Sequence, residues 1–513
     1  MNMKDRLHSH KIEPHQASVL LVLLMTLVHI VLAFQVELGG DEAHYALYGL
    51  MPDWSYFDHP PLVGWLQILP MWLFPTDWGA RIVPISLYVL LNILLYKVTV
   101  TLFASPDQAC SFSETGSEVS AHNGGASHWL GFWSLIALNG TLMFPLMGMG
   151  QLPDNPLMVI VLGLVWLVWQ MLQTEQASLK QWLLLGLLVG LAALSKYTAV
   201  TLVISLLLVM MVEKRWDWLK QAGLWLAVVV ALLVITPLLY WNAMHEWASF
   251  LYQLHHGTHN PDWRIARFLR SQAAQFVVYT PLLFLLGWWM MFKIRNYQNQ
   301  ATRLLLLFAV PVFVLFAWGS GREESLPHWP ALAWLLLIPI VVNWLWQSRA
   351  KLTVKIAVAT QLALSLVLSL IMHSFLFTPW IPFEDHKNPI QGEYGWKQAA
   401  ETALQIQTEL GKDEDPLPLF VSNWSYASHL TWYVRPQPVY VTTGKQTQFE
   451  FWFGKAQAGM DGLLVVPHYE KIPPQTNQTN RFERCELVKK LPIRTNGSII
   501  VSYYFYHCTN YLR

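Results

Sequence analysis

The feature that most limits how this chain can fold is a succession of apolar runs, each long enough to cross the ~30 Å hydrocarbon core of a bilayer. They fall at roughly 18–34, 80–102, 128–148, 155–173, 180–195, 197–212, 221–241, 272–292, 303–319, 328–347 and 352–376. About eleven spans are therefore expected, with 180–212 also readable as one bent element. The fold class is an α-helical polytopic membrane protein carrying a small soluble domain. Charge content agrees: 13% of the 513 residues are charged, where a soluble domain carries about a quarter. A formal net charge of +1 argues against a nucleic-acid binder. No small-residue cleavage site follows the first run, which is read as a retained span rather than a removed signal.

Lysine and arginine in the short loops set the orientation. Lys4, Arg6 and Lys11 precede the first span. Alternate loops then carry Lys180; Lys214, Arg215 and Lys220; Lys293, Arg295 and Arg303; and Arg349, Lys351 and Lys355. The N-terminus is expected in the cytoplasm and, with an odd number of spans, the C-terminus outside. The membrane domain is expected over 1–377, with a first large outer loop at 35–79, and a small outer α/β domain over 378–513. There "PLPLFVSNW", "HLTWYVRPQPVYVTTG", "GLLVVPHY" and "SIIVSYYFYHC" read as short strands, and "GWKQAAETALQIQTEL" as an amphipathic helix. Cys485 and Cys508 sit on a hairpin expected to turn near "RTNGS". Outside the cytoplasm, a disulfide between them and two unlinked buried thiols both stay open.

With this topology the unusual polar residues collect on the outer face. Asp41 and Glu42 follow the first span in "GGDEAHY"; Asp58 and His59 lie in "YFDHPPLVGW". Asp154 sits in "GQLPDNPL", Lys196 in "ALSKYTA", and "LHHGTHNPDWRIARFLR" and "GREESLPHW" fill two more outer loops. Lys196, Arg264, Arg267, Arg270 and Arg322 run against the positive-inside pattern, and a charge at membrane depth costs up to ~3 kcal/mol. An anion explains them. If 263–270 is helical, its three arginines cover an arc of about 120°, as on an interfacial helix facing headgroups; contact with anionic lipid is the plainer reading, as snorkelling is for Lys196. Adjacent residues on a helix diverge by about 100°, so Asp41 and Glu42 cannot aim at one atom. One is expected to serve chemistry and the other to hold a loop or a cation.

"GGDEAHYALYGL", "DWSYFDHPPLVGWL" and "FPTDWGARIVP", in that order, resemble the first outer loop of membrane glycosyltransferases of the GT-C fold. The nearest likeness is to the protein O-mannosyltransferase-like group and the lipid A aminoarabinose transferases. "LPDNPL", "ALSKYTA" and "SGREESLPHWPALAW" match later family segments, so the resemblance covers nearly the whole membrane part. It implies a multi-pass protein of the bacterial inner membrane that moves a sugar from a polyprenyl-phosphate donor at the outer face. The acceptor is a glycolipid such as lipid A, a polysaccharide or a protein.

Carried over by residue, Asp41 matches the family's catalytic acid, Glu42 its partner, and Asp154 a second acidic residue of the site. Lys196 matches a phosphate-contacting lysine. Asp58 and His59 match a Glu-Lys pair that contacts metal or phosphate, with His in place of Lys. Tyr45, Tyr56, Glu324 and His328 are expected to line the substrate pocket. The chemistry agrees with the residues. A hydroxyl nucleophile needs a base, assigned to Asp41, and a departing phosphate needs cations, assigned to Lys196 with His59 and one or more of Arg264, Arg267, Arg270 and Arg322. A phosphate acceptor would instead be positioned by Asp41. A divalent cation is an open alternative, with Asp58, His255 and His256 as suitable ligand types; loop histidines held in hydrogen bonds at the interface are the other.

Two competing readings predict different patterns. A lipid or sugar transporter places charge near mid-bilayer on broken helices, often with inverted repeats; here charge sits at helix ends on one face, and the halves show no repeat. A glycan polymerase or ligase using lipid-linked pyrophosphate would want a larger acceptor surface.

Overall fold

The computed structural model describes residues 13–104, 121–256, 262–383, 388–410, 416–467 and 481–512, except the side chains of 121–125, 255 and 256. The chain enters as α1 (Pro14–Gln35), then folds α2 (Gly40–Leu50), α3 (Leu62–Leu73) and α4 (Asp77–Ala80) from the expected outer loop. Next come α5 (Ile82–Leu102), α6 (Ala121–Asn139), α7 (Met143–Met149), α8 (Asp154–Leu172), α9 (Leu179–Ser195) and α10 (Val200–Val212). They are followed by α11 (Ala222–Val234), α12 (Thr236–Met244), α13 (Ala248–His256), α14 (Ile265–Val278), α15 (Pro281–Phe292), α16 (Gln300–Arg322), α17 (Ala331–Gln347) and α18 (Leu352–Phe377).

Among the described residues five helices are long and apolar enough to span alone, or up to seven if two bent pairs each count as one span. The expected run 128–148 is such a pair: α6 and α7 meet at 79°, and α11 and α12 at 45°. The run 272–292 is also interrupted, because Thr280 takes φ +71° between α14 and α15. Four expected spans rest on α9, α10, α15 and α17, helices of 12–17 residues, about 18–26 Å at 1.5 Å per residue. By length alone, then, the count falls short of eleven. Of these, α17 is buried at every position from Ala331 to Val342 and forms the hub of the bundle, whereas only Val354, Ser365 and Phe375 of α18 are buried.

After α18 come α19 (Trp396–Leu410), β1 (Leu419–Val421), α20 (Trp424–Val434), β2 (Val439–Val441), α21 (Gln448–Phe453), β3 (Gly462–Pro467), β4 (Phe482–Thr495) and β5 (Ser498–Tyr511). The sheet order is β2-β1-β3-β5-β4; β1 runs parallel to β2 and β3, and β5 antiparallel to β3 and β4. One strand expectation fails. "HLTWYV" is helical, within α20, because the Asn423 side chain accepts from Tyr426 N at 3.0 Å and starts a helix ahead of the apolar residues. The long hairpin turns at Asn496 and Gly497, both at positive φ, as a two-residue hairpin loop requires. Cys485 faces Cys508 across its ladder, and a disulfide joins them.

This sheet-and-helix unit is not tethered loosely. Leu38, Ala43, Ala46 and Leu47 around α2 share one apolar core with Trp396, Ala399, Leu419, Ala427 and Leu430. Polar bonds fix the docking: Trp396 N donates to Glu37 Oε2 at 2.8 Å, Phe57 N to Gln448 Oε1 at 2.7 Å, and Trp432 Nε1 to Asp77 Oδ1 at 2.7 Å.

Candidate active site

The first turn of α2 sorts its two carboxylates. Glu42 curls back to accept Gly39 N at 2.9 Å, satisfying a free amide of the helix start. Its other contact is a fork: Arg81 donates Nε to Oε1 at 2.8 Å and Nη2 to Oε2 at 2.9 Å. Arg81, fully buried, also donates to the carbonyls of Ala33, Val36 and Glu37. Glu42 thus holds a cation and a loop. Asp41 diverges from it and is half-buried; among the described residues no group donates to its carboxylate. Its pKa is pushed up to about 6, first by burial and then by the charge of Glu393, against the opposing pull of His44 and Lys196.

Opposite lies a buried ion pair. Asp154 opens α8, and Lys196 Nζ donates to both of its oxygens, at 2.8 and 2.7 Å. Lys196 is placed there because the chain turns extended between α9 and α10 (φ −153°, ψ 141°), with Ser195 Oγ tied to the Pro153 carbonyl at 2.7 Å. His59 and His328 both lie within reach of the charges of this pair. Burial lowers both to about 4; the nearby Lys196 ammonium adds to this for His59, while at His328 Asp154 opposes it more than Lys196 adds. Both rings are therefore neutral at neutral pH. His59 Nδ1 is buried with no hydrogen-bond partner among the described residues.

Asp58 is engaged rather than free. His44 Nε2 lies 2.7 Å from its Oδ2, the Tyr48 hydroxyl 3.4 Å from the same oxygen, and Gln253 Nε2 donates to its carbonyl at 2.7 Å. His44 Nδ1 meets Ser428 Oγ at 3.0 Å, and that hydroxyl donates to the Trp424 carbonyl. Both ring nitrogens thus lie against oxygens, which fixes the plane of the ring. Tyr45 is buried, edge-on to His59 at 5.8 Å. Tyr56 stacks on Tyr48 at 3.5 Å and donates to its carbonyl, so it braces the loop instead of lining a pocket.

The arginines form a separate group at the meeting of α14 and α16. Arg264 precedes the helix in extended conformation (φ −122°, ψ 120°), so the row of three on one arc does not form. Its amide donates to the Gly321 carbonyl at 2.7 Å, and the Arg267 guanidinium donates to the Arg322 carbonyl. Arg270 pairs with Glu324 at 3.3 Å, both exposed, and Arg322 lies 4.9 Å over the Trp318 ring. The site residues that lie near enough for their charges to act on one another are Asp41, Asp58, His59, Asp154, Lys196 and His328.

Among the described residues no three His, Cys, Asp or Glu side chains gather to hold a metal ion. Asp58 is taken by His44; the side chains of His255 and His256 lie outside the described set, as does His259. Three contributors escape the motif reading: His44, one turn along from Asp41; Arg81, a charge set at the start of an apolar run; and Glu393 of the C-terminal unit. Position alone flags the first two. Nothing local flags Glu393.

Comparison with known proteins sets this geometry in context. Residues 126–241, which include Asp154 and Lys196, match the family model described as dolichyl-phosphate-mannose-protein mannosyltransferase. The chain is 23% identical over 334 residues to the lipid A galacturonosyltransferase RgtD of Rhizobium johnstonii, a match covering 62% of this chain and 63% of that one. The chain thus spans less than two thirds of that relative's length. ArnT from Cupriavidus metallidurans bound to undecaprenyl phosphate superposes with a TM-score of 0.59 at 16% identity, covering 95% of this chain and 97% of ArnT. Its apo form gives 0.59 at 14%. At such identity the likeness is one of fold, and the fold is GT-C.

Proposed function

We propose that this chain is an inner-membrane glycosyltransferase that transfers a sugar from a polyprenyl-phosphate donor to a glycolipid of the lipid A type at the outer face. One observation carries the reading: a carboxylate to which no described residue donates, raised to about 6, close enough to a buried ammonium to feel its charge. The acceptor hydroxyl gives its proton to Asp41 as its oxygen bonds the anomeric carbon. The bond from that carbon to the phosphate oxygen breaks on the opposite side, with inversion, and the electron pair leaves on the polyprenyl phosphate. Lys196 meets the charge that gathers there, exchanging part of its contact with Asp154 for the phosphate. His59, neutral, offers an unpartnered nitrogen to a sugar or phosphate oxygen. The ArnT likeness supports a polyprenyl-phosphate ligand, and RgtD supports a lipid A acceptor.

Lipid A mass spectra from cells with and without the gene test the acceptor. The expected result is a shift equal to one sugar; an unchanged spectrum moves the proposal to protein or polysaccharide. Purified Asp41→Asn should keep its fold and lose transfer by 100-fold or more, in line with the roughly 10²–10⁴ of general-base catalysis. Wild-type turnover in that variant would remove Asp41 as the base.

A further inference from the structure

Glu393 reaches the site from the C-terminal unit, at the end of the short turn Gln391–Glu393 that precedes α19. Its Oε2 accepts the Gly40 amide at 2.7 Å and lies 3.1 Å from His429 Nε2 of α20. Gly40 is the first residue of α2 and Asp41 the second, so this one carboxylate grips the turn that carries the proposed base. The paired glycines make the approach possible. A Cβ on Gly39 would stand 3.3 Å from Glu393 Oε2, and one on Gly40 would collide with Ser425 Oγ. The Glu393 side chain is 51% exposed, and its partner His429 is fully buried, so the carboxylate lies at the edge of the core.

Glu393 keeps its charge. Burial alone would raise its pKa, but the His429 bond and charge and the Gly40 amide hold it below the ordinary glutamate range. Asp41, beside it, moves the other way. Two carboxylates driven apart in one site is the pattern of a divided task, one fixed as an anion and one left to exchange a proton.

We propose that Glu393 is a positioning residue through which the C-terminal domain holds the first turn of α2 and sets a carboxylate beside Asp41. This rests on the reading of Asp41 as the base. Other charges face Asp41 from each neighbouring element: His44 from its own helix, Lys196 from the turn before α10 and Asp154 from α8. His44 and Lys196 oppose Glu393, and Asp154 acts with it. Glu42 is neutralised by Arg81. Docking of the domain is thereby tied to the chemistry.

The test reads protonation directly. In the full-length protein in detergent, a hydrophobic carbodiimide modifies protonated carboxyls, and tandem mass analysis of the Asp41 peptide gives labelling against pH. Wild type should reach half-labelling near pH 6. Glu393→Gln, which keeps an oxygen for the Gly40 amide but loses the charge, should move the midpoint down by about one pH unit, as expected for one like charge in a partly solvated site. Glu393→Asp keeps the charge and should stay near wild type; it also serves if the Gln variant fails to fold. An unmoved midpoint in folded Glu393→Gln, or an equal shift in Glu393→Asp, overturns the proposal. If labelling moves as expected but the pH profile of transfer does not follow it, Glu393 keeps its role and Asp41 loses that of base.

Discussion

Replacing Arg81 by Met should unfold the outer loop before it touches any chemistry. The guanidinium makes five bonds: two to Glu42, at 2.8 and 2.9 Å, and three to carbonyls of Ala33, Val36 and Glu37, at 3.3, 2.5 and 2.8 Å. Arg81 is fully buried and the Glu42 side chain only 10% exposed, so solvent screens the pair little. Breaking a buried pair by removing one partner costs about 3–5 kcal/mol, because the remaining charge stays desolvated. Met fills the volume but leaves Glu42 with only the Gly39 amide and three helix-end carbonyls without a donor. Glu42→Gln in the same background removes the stranded charge. The double variant should then recover about 2–3 kcal/mol, leaving a residue of roughly 1–2 kcal/mol for the carbonyls. Unfolding of all four proteins in one detergent, by heat and by denaturant, completes the cycle. Equal losses in Arg81→Met and Arg81→Met/Glu42→Gln would refute the reasoning. A Glu42→Gln enzyme with wild-type stability and no turnover would instead return Glu42 to the reacting groups.

Other outcomes follow from the same geometry. Transfer should rise with pH through about 6, standing at about a tenth of its plateau at pH 5 and half at pH 6, since the base must be unprotonated; a profile flat from pH 5 to 8 would contradict it. The stability sign is the reverse: folding raises the proton affinity of Asp41, so its contribution is full below the unfolded pKa and is lost as pH rises through about 6. Asp41→Asn should accordingly melt higher than wild type at pH 7.5, with the gap about halved at pH 5 and closed below about pH 4. Gly40→Ala should push α20 away from α2 and expose the 39–50 segment to faster backbone hydrogen exchange, with no such change in α17. A cysteine at Ser325 should react with an impermeant thiol reagent in spheroplasts and one at Asn296 should not; the opposite pattern would invert the topology.

Much of the bundle is legible because hydrophobic length is a one-dimensional signal: α1, α5, α8, α16 and α18 stand where their apolar runs stand. Breaks are harder. Nothing in the run 272–292 announces that Thr280 will take φ +71°, and α6 and α7 form one apolar stretch that bends at 79°. Within the site, Lys196 and Asp154 are legible because a charge among apolar residues needs a reason, and that reason proves to be each other. The arginine row misleads because its geometry assumes a helix beginning before Ile265, while the Arg264 amide is drawn off to Gly321. "HLTWYV" misleads because β-propensity loses to the cap at Asn423. Glu393 is illegible in principle: its bond to Gly40 joins residues 353 positions apart, and no local pattern encodes such a contact.

Why should Asp41, among the described residues, have no group donating to its carboxylate? Of the carboxylates around it, the described residues set a basic side chain against four: Arg81 against Glu42, Lys196 against Asp154, His44 against Asp58 and His429 against Glu393. Buried acids are expected to be paired or else to give up their charge, and Glu42 and Asp154 follow that rule. A base cannot. A cation bonded to Asp41 would pull its proton affinity down toward that of an ordinary aspartate and below, and the carboxylate would no longer accept a hydroxyl proton near neutral pH. Keeping Asp41 unbonded, with Glu393 beside it and Lys196 held off by Asp154, leaves it desolvated but reactive. On the proposed reading of Asp41 as the base, the pairs around it serve its chemistry, because each occupies a basic group that would otherwise weaken it.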